Sequence, residues 1–268
     1  MENAMSSISV EGFEIVNHIL TLGYATMAAA LLFFILTRKD SLPKYQMSSI
    51  LSVVVMVSAL LLLYTQKISW TEAYAFDGNE YTVREGADLF TNGYRYLNWL
   101  IDVPMLLIQI LWVAQITGSQ RTSYMFKFSF SGCLMILTGY IGQFYEPGRI
   151  NEDVTLWAVW GLISTAFFLH VLVLITRVIK EGSSKMSGGA KSVFSAILPL
   201  FLISWWLYPI AYLAPYFMTM GYSYETTIVS QQVIYTIADI SSKVVYGVML
   251  TVTATMLSKQ EGMAESQA

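Results

Sequence analysis

Tyr235-Thr236-Ile237-Ala238-Asp239-Ile240-Ser241-Ser242-Lys243-Val244-Val245-Tyr246-Gly247 is an apolar stretch with one carboxylate and one amine inside it. It lies within a longer run, Thr226–Leu257. That run exceeds the roughly 20 mainly apolar residues a helix needs to cross a bilayer. Lys243 sits near its middle, too deep to reach either interface easily. Charges at that depth are costly and mark function. Asp239, four residues earlier, shares a helix face with Lys243. An amine stripped of water becomes a nucleophile toward carbonyls, and a Schiff base with an aldehyde is its natural product. The competing reading is a structural ion pair between Lys243 and Asp239. That accounts for the charge balance but not for the surroundings.

Working outward, six further apolar runs precede this one: Phe13–Thr37, Met47–Lys67, Leu89–Ile116, Tyr124–Tyr145, Val154–Ile179 and Val193–Phe217. Composition agrees. Of 268 residues, 55% are hydrophobic and 12% charged, against about 25% charged in a soluble domain. We therefore expect an all-α membrane protein, a bundle of seven helices forming a single domain over residues 1–268. Ten Lys and Arg residues fall on one side of the spans and three on the other. The positive-inside rule puts the ten in the cytoplasm, with the N-terminus outside, the C-terminus inside and the chain multi-pass in the cell membrane. Met1 to Val10 holds no Lys or Arg, which argues against a cleavable signal peptide, so the first helix is expected to direct insertion. A net charge of −3 leaves no nucleic-acid footprint. Cys133 is expected to be a small packing residue. Between spans two and three, Tyr74-Ala75-Phe76, Asp77-Gly78 and Tyr81-Thr82-Val83 predict a small β-hairpin on a tight turn. Glu72, Asp77, Glu80, Glu85 and Asp88 make this loop acidic, a solubilising cap or, in the sharper reading, a cation-attracting vestibule.

The third span carries Arg95, Asn98, Asp102 and Gln109. At 100° per residue the last three fall within about 40° of one another, with Arg95 about 60° from Asn98. One stripe therefore bears charge and amide along roughly 21 Å of helix. A polar seam that glues helices is the plainer reading. Pro104 removes a backbone donor and is expected to bend the helix near Asp102. In the sixth span, Trp205, Tyr208 and Tyr212 recur at helical spacing beside Trp206 and Pro209. They offer rigid aromatic walls to a flat ligand, although alone they read equally well as ordinary packing.

Taken together, Lys243 with Asp239, Arg95 and Trp99 in span three, and Trp205, Tyr208 and Pro209 in span six resemble the microbial (type 1) rhodopsins over all seven helices. The resemblance implies all-trans retinal on Lys243 as a protonated Schiff base, with Trp99, Trp205, Tyr208, Pro209 and Tyr212 around it. In that family three positions of span three separate ion selectivities. Here they read Asn98, Asp102, Gln109, which resembles the light-driven sodium pumps, as do the stretches Asn92–Asp102 and Thr138–Tyr145. The chain departs from that pattern at Ser49 (Asn there), Thr251 (Gly) and Gln231 (Arg), at the cytoplasmic entrance and the outer end of span seven. The resemblance also implies a homo-oligomer, a pentamer, within the lipid bilayer, with His18 near the protomer contact. His170 is expected to be packed or to face the cytoplasm.

The chemistry of these residues suits that assignment. A cationic nitrogen in low dielectric needs a counter-anion, either Asp102 or Asp239. Asn98 is uncharged where a proton pump has its acceptor, which leaves Asp102 as the expected proton acceptor. Gln109 cannot donate a proton. Sodium prefers hard oxygen ligands, which Asn98, Asp239, Asp102 and Ser58 can supply transiently. Arg95 is the expected gate toward the outside, with Glu146 and Asp88 as exit carboxylates. The expected function is a light-driven outward sodium pump, a transporter and not an enzyme, that moves protons when sodium is absent. An outward proton pump and a sensory rhodopsin are the alternatives. The short tail Ser258–Ala268 argues against the sensor, and the Lys243–Asp239 pair against a retinal-free chemoreceptor.

Overall fold

The computed structural model describes residues 7–267, with side chains through residue 262. The reading of the extreme N-terminus lies partly outside the described residues. Seven helices are long and apolar enough to cross a membrane. They are α1 (Val10–Thr37), α2 (Gln46–Ala73), α3 (Gly93–Val113), α4 (Gly118–Gly142), α5 (Val154–Ser184), α6 (Gly188–Leu213), and a seventh made of α7 (Tyr224–Asp239), a π-helical segment (Ile240–Val245) and α8 (Tyr246–Gln267). Consecutive helices pack in order and α7 returns against α1, which closes a ring.

Caps, not hydropathy, set several helix starts, so some boundaries lie outside the apolar runs. Ser9, Asp153 and Ser223 each accept a bond from a first-turn backbone N–H, those of Gly12, Leu156 and Thr226, the satisfaction an N-terminus requires. Lys191, one of the ten cations counted on the cytoplasmic side, lies in the first turn of α6.

Burial divides the helices. The outer faces of α1, α5 and α6 carry large exposed side chains such as Leu36, Leu162 and Ile203, as lipid demands. By contrast α3 is the most enclosed helix and buries its polar stripe. Arg95, Asn98, Asp102 and Gln109 are each 0% exposed, because α3 turns that stripe into the ring and toward the seventh span.

The expected hairpin exists, with the strands at the expected residues. Strands β2 (Tyr74–Phe76) and β3 (Tyr81–Val83) pair with Phe76 opposite Tyr81, so the four residues 77–80 make the turn. Asp77 accepts bonds from the backbone of Asn79 and Glu80, and these hold its carboxyl below the usual carboxylate range. A third strand, β1 (Ser7–Ile8), adds to the far edge of β3. The little sheet covers one end of the bundle, where Phe13 stacks on Tyr81 at 3.7 Å between ring centroids.

Candidate functional site

The Lys243 amine lies in the π-helical segment, a wide turn found mostly as single bulges at functional sites. Three oxygens converge on Nζ: Asn98 Oδ1, Asp102 Oδ2 at 3.1 Å and Asp239 Oδ1 at 3.0 Å. The first two come from α3 and the third from one turn earlier in the same span. Asn98 Nδ2 donates to Asp102 Oδ2 at 2.6 Å and to Ser58 Oγ on α2 at 3.1 Å. Ser58 is thus held against Asn98 at one remove from the amine.

The two carboxylates are not equivalent. Asp239 Oδ1 also accepts from Trp99 Nε1 at 3.0 Å and the Tyr208 hydroxyl at 2.9 Å, and Oδ2 accepts from Arg95 Nη1 at 2.7 Å. Arg95 is itself fixed by Thr236 and Gln232. Asp239 therefore carries a full set of donors and a dedicated cation. Asp102 has only Asn98 and the amine, both on Oδ2, and its buried Oδ1 has no protein partner. Charge-assisted bonds favour the ionised form of a carboxylate, so Asp102 is the carboxylate with room for a proton.

Beside the amine lies a mainly apolar cavity. Trp99, Trp205, Tyr208, Pro209 and Tyr212 line it together with Lys243. Met135, Phe168, Gly139 and Gly161, from α4 and α5, complete the walls. A Cβ on Gly161 would approach the Tyr212 ring to 2.8 Å, so glycine there permits the tyrosine's placement. Trp206 points outward instead. Trp205 Nε1 is buried with no partner. An apolar space with aromatic walls and one amine in its lining fits a hydrophobic aldehyde.

Polar side chains continue the stripe in both directions. Away from the hairpin, Gln109 Oε1 accepts from Ser52 Oγ at 2.7 Å, while Gln109 Nε2 is buried without a partner. Ser48, Ser49 and Thr251 lie beyond it, all buried. Toward the hairpin, Arg95 leads to Gln232, Gln232 to Asn92, and Asn92 to Gln231. Gln231, where the sodium-pump pattern has arginine, stands beside Glu146 and Arg149 in a small recess. Arg149 Nη2 reaches Glu146 Oε1 at 2.9 Å, and its Nη1 is tied to the Phe90 carbonyl. Burial pushes the Glu146 carboxyl up from its ordinary value, and Arg149 offsets only part of this. Asp88, grouped with Glu146 from sequence, is exposed and outside this chain of contacts.

Among the described residues no cluster of three His, Cys, Asp or Glu side chains is placed to hold a metal. His18 lies exposed near Glu14. His170 is exposed on α5 and bonds Ser131 on α4. Gln232, Thr236 and Asn92 were missed as site residues. The signal for two of them was present, since 232, 236 and 239 share one face of a helix.

A closed ring of seven apolar helices with an amine, two carboxylates and an apolar cavity between them defines an integral membrane protein with an internal site. The family model for bacteriorhodopsin-like proteins matches residues 14–257, and the chain belongs to that family, whose members imply a retinal chromophore. Among solved structures, xanthorhodopsin, described as a light-driven ion pump with dual chromophore, is 30% identical with a TM-score of 0.85, over 96% of this chain and 99% of that one. A thermophilic rhodopsin is 28% identical with a TM-score of 0.83 over the same shares. Bacteriorhodopsin-I of Haloquadratum walsbyi is 26% identical over 92% of this chain and 88% of its own. The bacteriorhodopsin-II-like protein of the same organism is 27% identical over 58% of either chain. The chain thus spans a little over half the length of the first curated relatives it matches.

Proposed function

We propose that this protein is a light-driven outward sodium pump with all-trans retinal joined to Lys243. The observation that carries the reading is the set of oxygens around Nζ, Asn98 Oδ1, Asp102 Oδ2 and Asp239 Oδ1. A free ammonium has three N–H donors and can satisfy all three. Once the amine is joined to an aldehyde, at most one N–H remains, and the other oxygens lose their donor. Hard, donor-poor oxygens are what an alkali cation takes as ligands.

Retinal, when bound, supplies a change of shape on illumination that reorients the Lys243 nitrogen. The protein's own groups then act in turn. Asp102 takes the proton from Nζ, since Asp239 is held ionised by Arg95. With the positive charge gone from Nζ, Coulomb repulsion no longer bars a cation from passing Asn98 and Asp239. Return of the proton from Asp102 restores the barrier behind it. Arg95 keeps the exit side positive, and the Glu146–Arg149 pair stands at its end. Gln109, lacking any proton to give, suits a path that admits a metal cation and not a proton relay.

We further propose that the hairpin end faces outward in the cell membrane, that the chain assembles as a pentamer, and that protons are moved when sodium is absent. The test is illumination of expressing cells with external pH recorded. In NaCl, exported sodium leaves the interior negative and protons leak in, so external pH rises, and a protonophore enlarges the rise. Potassium or caesium salts remove it, and sodium sulfate preserves it. A chloride requirement, or an unchanged acidification in NaCl, overturns the sodium reading. The second of these outcomes would establish the proton pump.

A further inference from the structure

The end of the bundle away from the hairpin is closed by a clamp between the α1–α2 connection and α8. Ser41 Oγ meets Thr255 Oγ1 at 3.3 Å. The Leu42 backbone N–H donates to Ser258 Oγ at 2.8 Å. The Tyr45 hydroxyl donates to Glu261 Oε1 at 2.6 Å, and Lys44 Nζ reaches Glu261 Oε2 at 2.5 Å. The ring of Tyr45 is 1% exposed, and burial together with the Glu261 carboxylate raises its hydroxyl above the ordinary tyrosine value.

The polar residues that lead to the centre lie directly beneath this clamp. A Cβ on Gly247 would sit 3.2 Å from Ser52 Oγ, which levels Gly247 with Ser52 and hence with Gln109. One turn toward the clamp come Thr251 on α8 and Ser48 and Ser49 on α2, and the next turn reaches Tyr45 and Thr255. The buried polar side chains nearest Gln109 on this side, Ser48, Ser49 and Thr251, lie under the contact between the α1–α2 connection and α8. None of the clamp residues belongs to the retinal cavity or to the oxygen set around Lys243.

We infer that Tyr45, Ser258 and Glu261 form the cytoplasmic uptake gate, closed at rest and opened to admit the transported cation. The inference rests on the sodium-pump reading of the central site. The clamp opposes entry, so weakening it speeds the step that waits for the ion. A neutral hydrogen bond, such as that of Leu42 to Ser258, corresponds to about a threefold to tenfold change in rate if it is lost in opening, and one to a carboxylate, such as that of Tyr45 to Glu261, to roughly tenfold or more.

The test uses full-length protein with retinal in lipid vesicles, followed after a light flash at a series of sodium concentrations. Wild type must first show a phase whose rate rises with sodium. If no such phase exists, the central reading fails and the gate fails with it. Given that phase, Ser258→Ala should speed it about threefold to tenfold and Tyr45→Phe roughly tenfold or more at sub-saturating sodium, with every charge left in place and the dark visible band unmoved. Glu261→Gln, which also frees Lys44, should speed it at least as much. A lowered thermal midpoint with unchanged sodium-dependent kinetics would make the clamp a purely structural tie and overturn the inference. Slower uptake in Tyr45→Phe would overturn it too. If Tyr45→Phe fails to assemble pigment, Ser258→Ala alone decides between these outcomes.

Discussion

Asp239→Asn and Asp102→Asn are the same chemical change at two carboxylates that both contact Lys243 Nζ, and the hydrogen bonds around them predict unequal costs. At Asp239 both oxygens are occupied by donors: Trp99, Tyr208 and Lys243 on Oδ1, Arg95 on Oδ2. An asparagine has one oxygen. If it replaces Oδ1, the amide NH₂ faces the Arg95 guanidinium. If it replaces Oδ2, the NH₂ faces the indole N–H and the phenol. Either way two donors meet, and Arg95, 0% exposed, loses its counter-charge. Removing one partner of a buried ion pair costs about 3–5 kcal/mol. At roughly 2–4 °C per kcal/mol for chains of this size, the midpoint should fall by about 10 °C. At Asp102 only Oδ2 is engaged, so an asparagine can place its oxygen there and its NH₂ where Oδ1 now has no partner. The expected midpoint change is about 2 °C or less. The assay is thermal loss of the visible pigment in detergent, in the dark, for both variants. Arg95→Gln with Asp239→Asn should recover part of the loss, because the double change leaves no unpaired buried charge. Equal midpoints for the two single variants would refute the inequality of the carboxylates. So would a double variant as unstable as the sum of its parts.

Two further outcomes follow from the same geometry. Adding all-trans retinal to the apoprotein should produce a visible band, and Lys243→Ala should stay colourless; in Asp102→Asn the band should lie to the red and no long-lived blue-shifted, deprotonated state should form after a flash, whereas normal yield of that state would transfer the acceptor role to Asp239. Glu146 adds a pH dependence. Its folded value lies above the ordinary 4.5, so between 4.5 and the folded value the native protein holds a proton the unfolded chain has released, and stability falls as pH rises through that window. Glu146→Gln should remove this component, and a wild-type midpoint that is flat or rising across the window, measured by pigment loss, would contradict it.

Much of this molecule could be read from one dimension because the bilayer simplifies the reading. A span is an uninterrupted apolar run, and a charge inside one has so few reasons to exist that Lys243, Asp239, Asp102 and Arg95 declare themselves. The α3 stripe followed from helical periodicity alone, and the structure turns it inward as that periodicity requires. What stayed hidden depends on which groups meet across the chain. Strand β1 is two residues long, below any pattern a sequence can show, and exists because β3 offers it an edge. The π-helical turn at Lys243 has no compositional mark, since Ile240 to Val245 would suit an α-helix equally well. The hold on the hairpin turn is another such meeting, since the Asp77 side chain accepts from the backbone of Asn79 and Glu80. The difference between the carboxylates and the clamp of Tyr45 on Glu261 are of the same kind. Asp102 and Asp239 look alike as letters. Three donors from α3 and α6, those of Arg95, Trp99 and Tyr208, leave one of them saturated and the other with a free oxygen, and on that free oxygen the proposed direction of proton transfer rests.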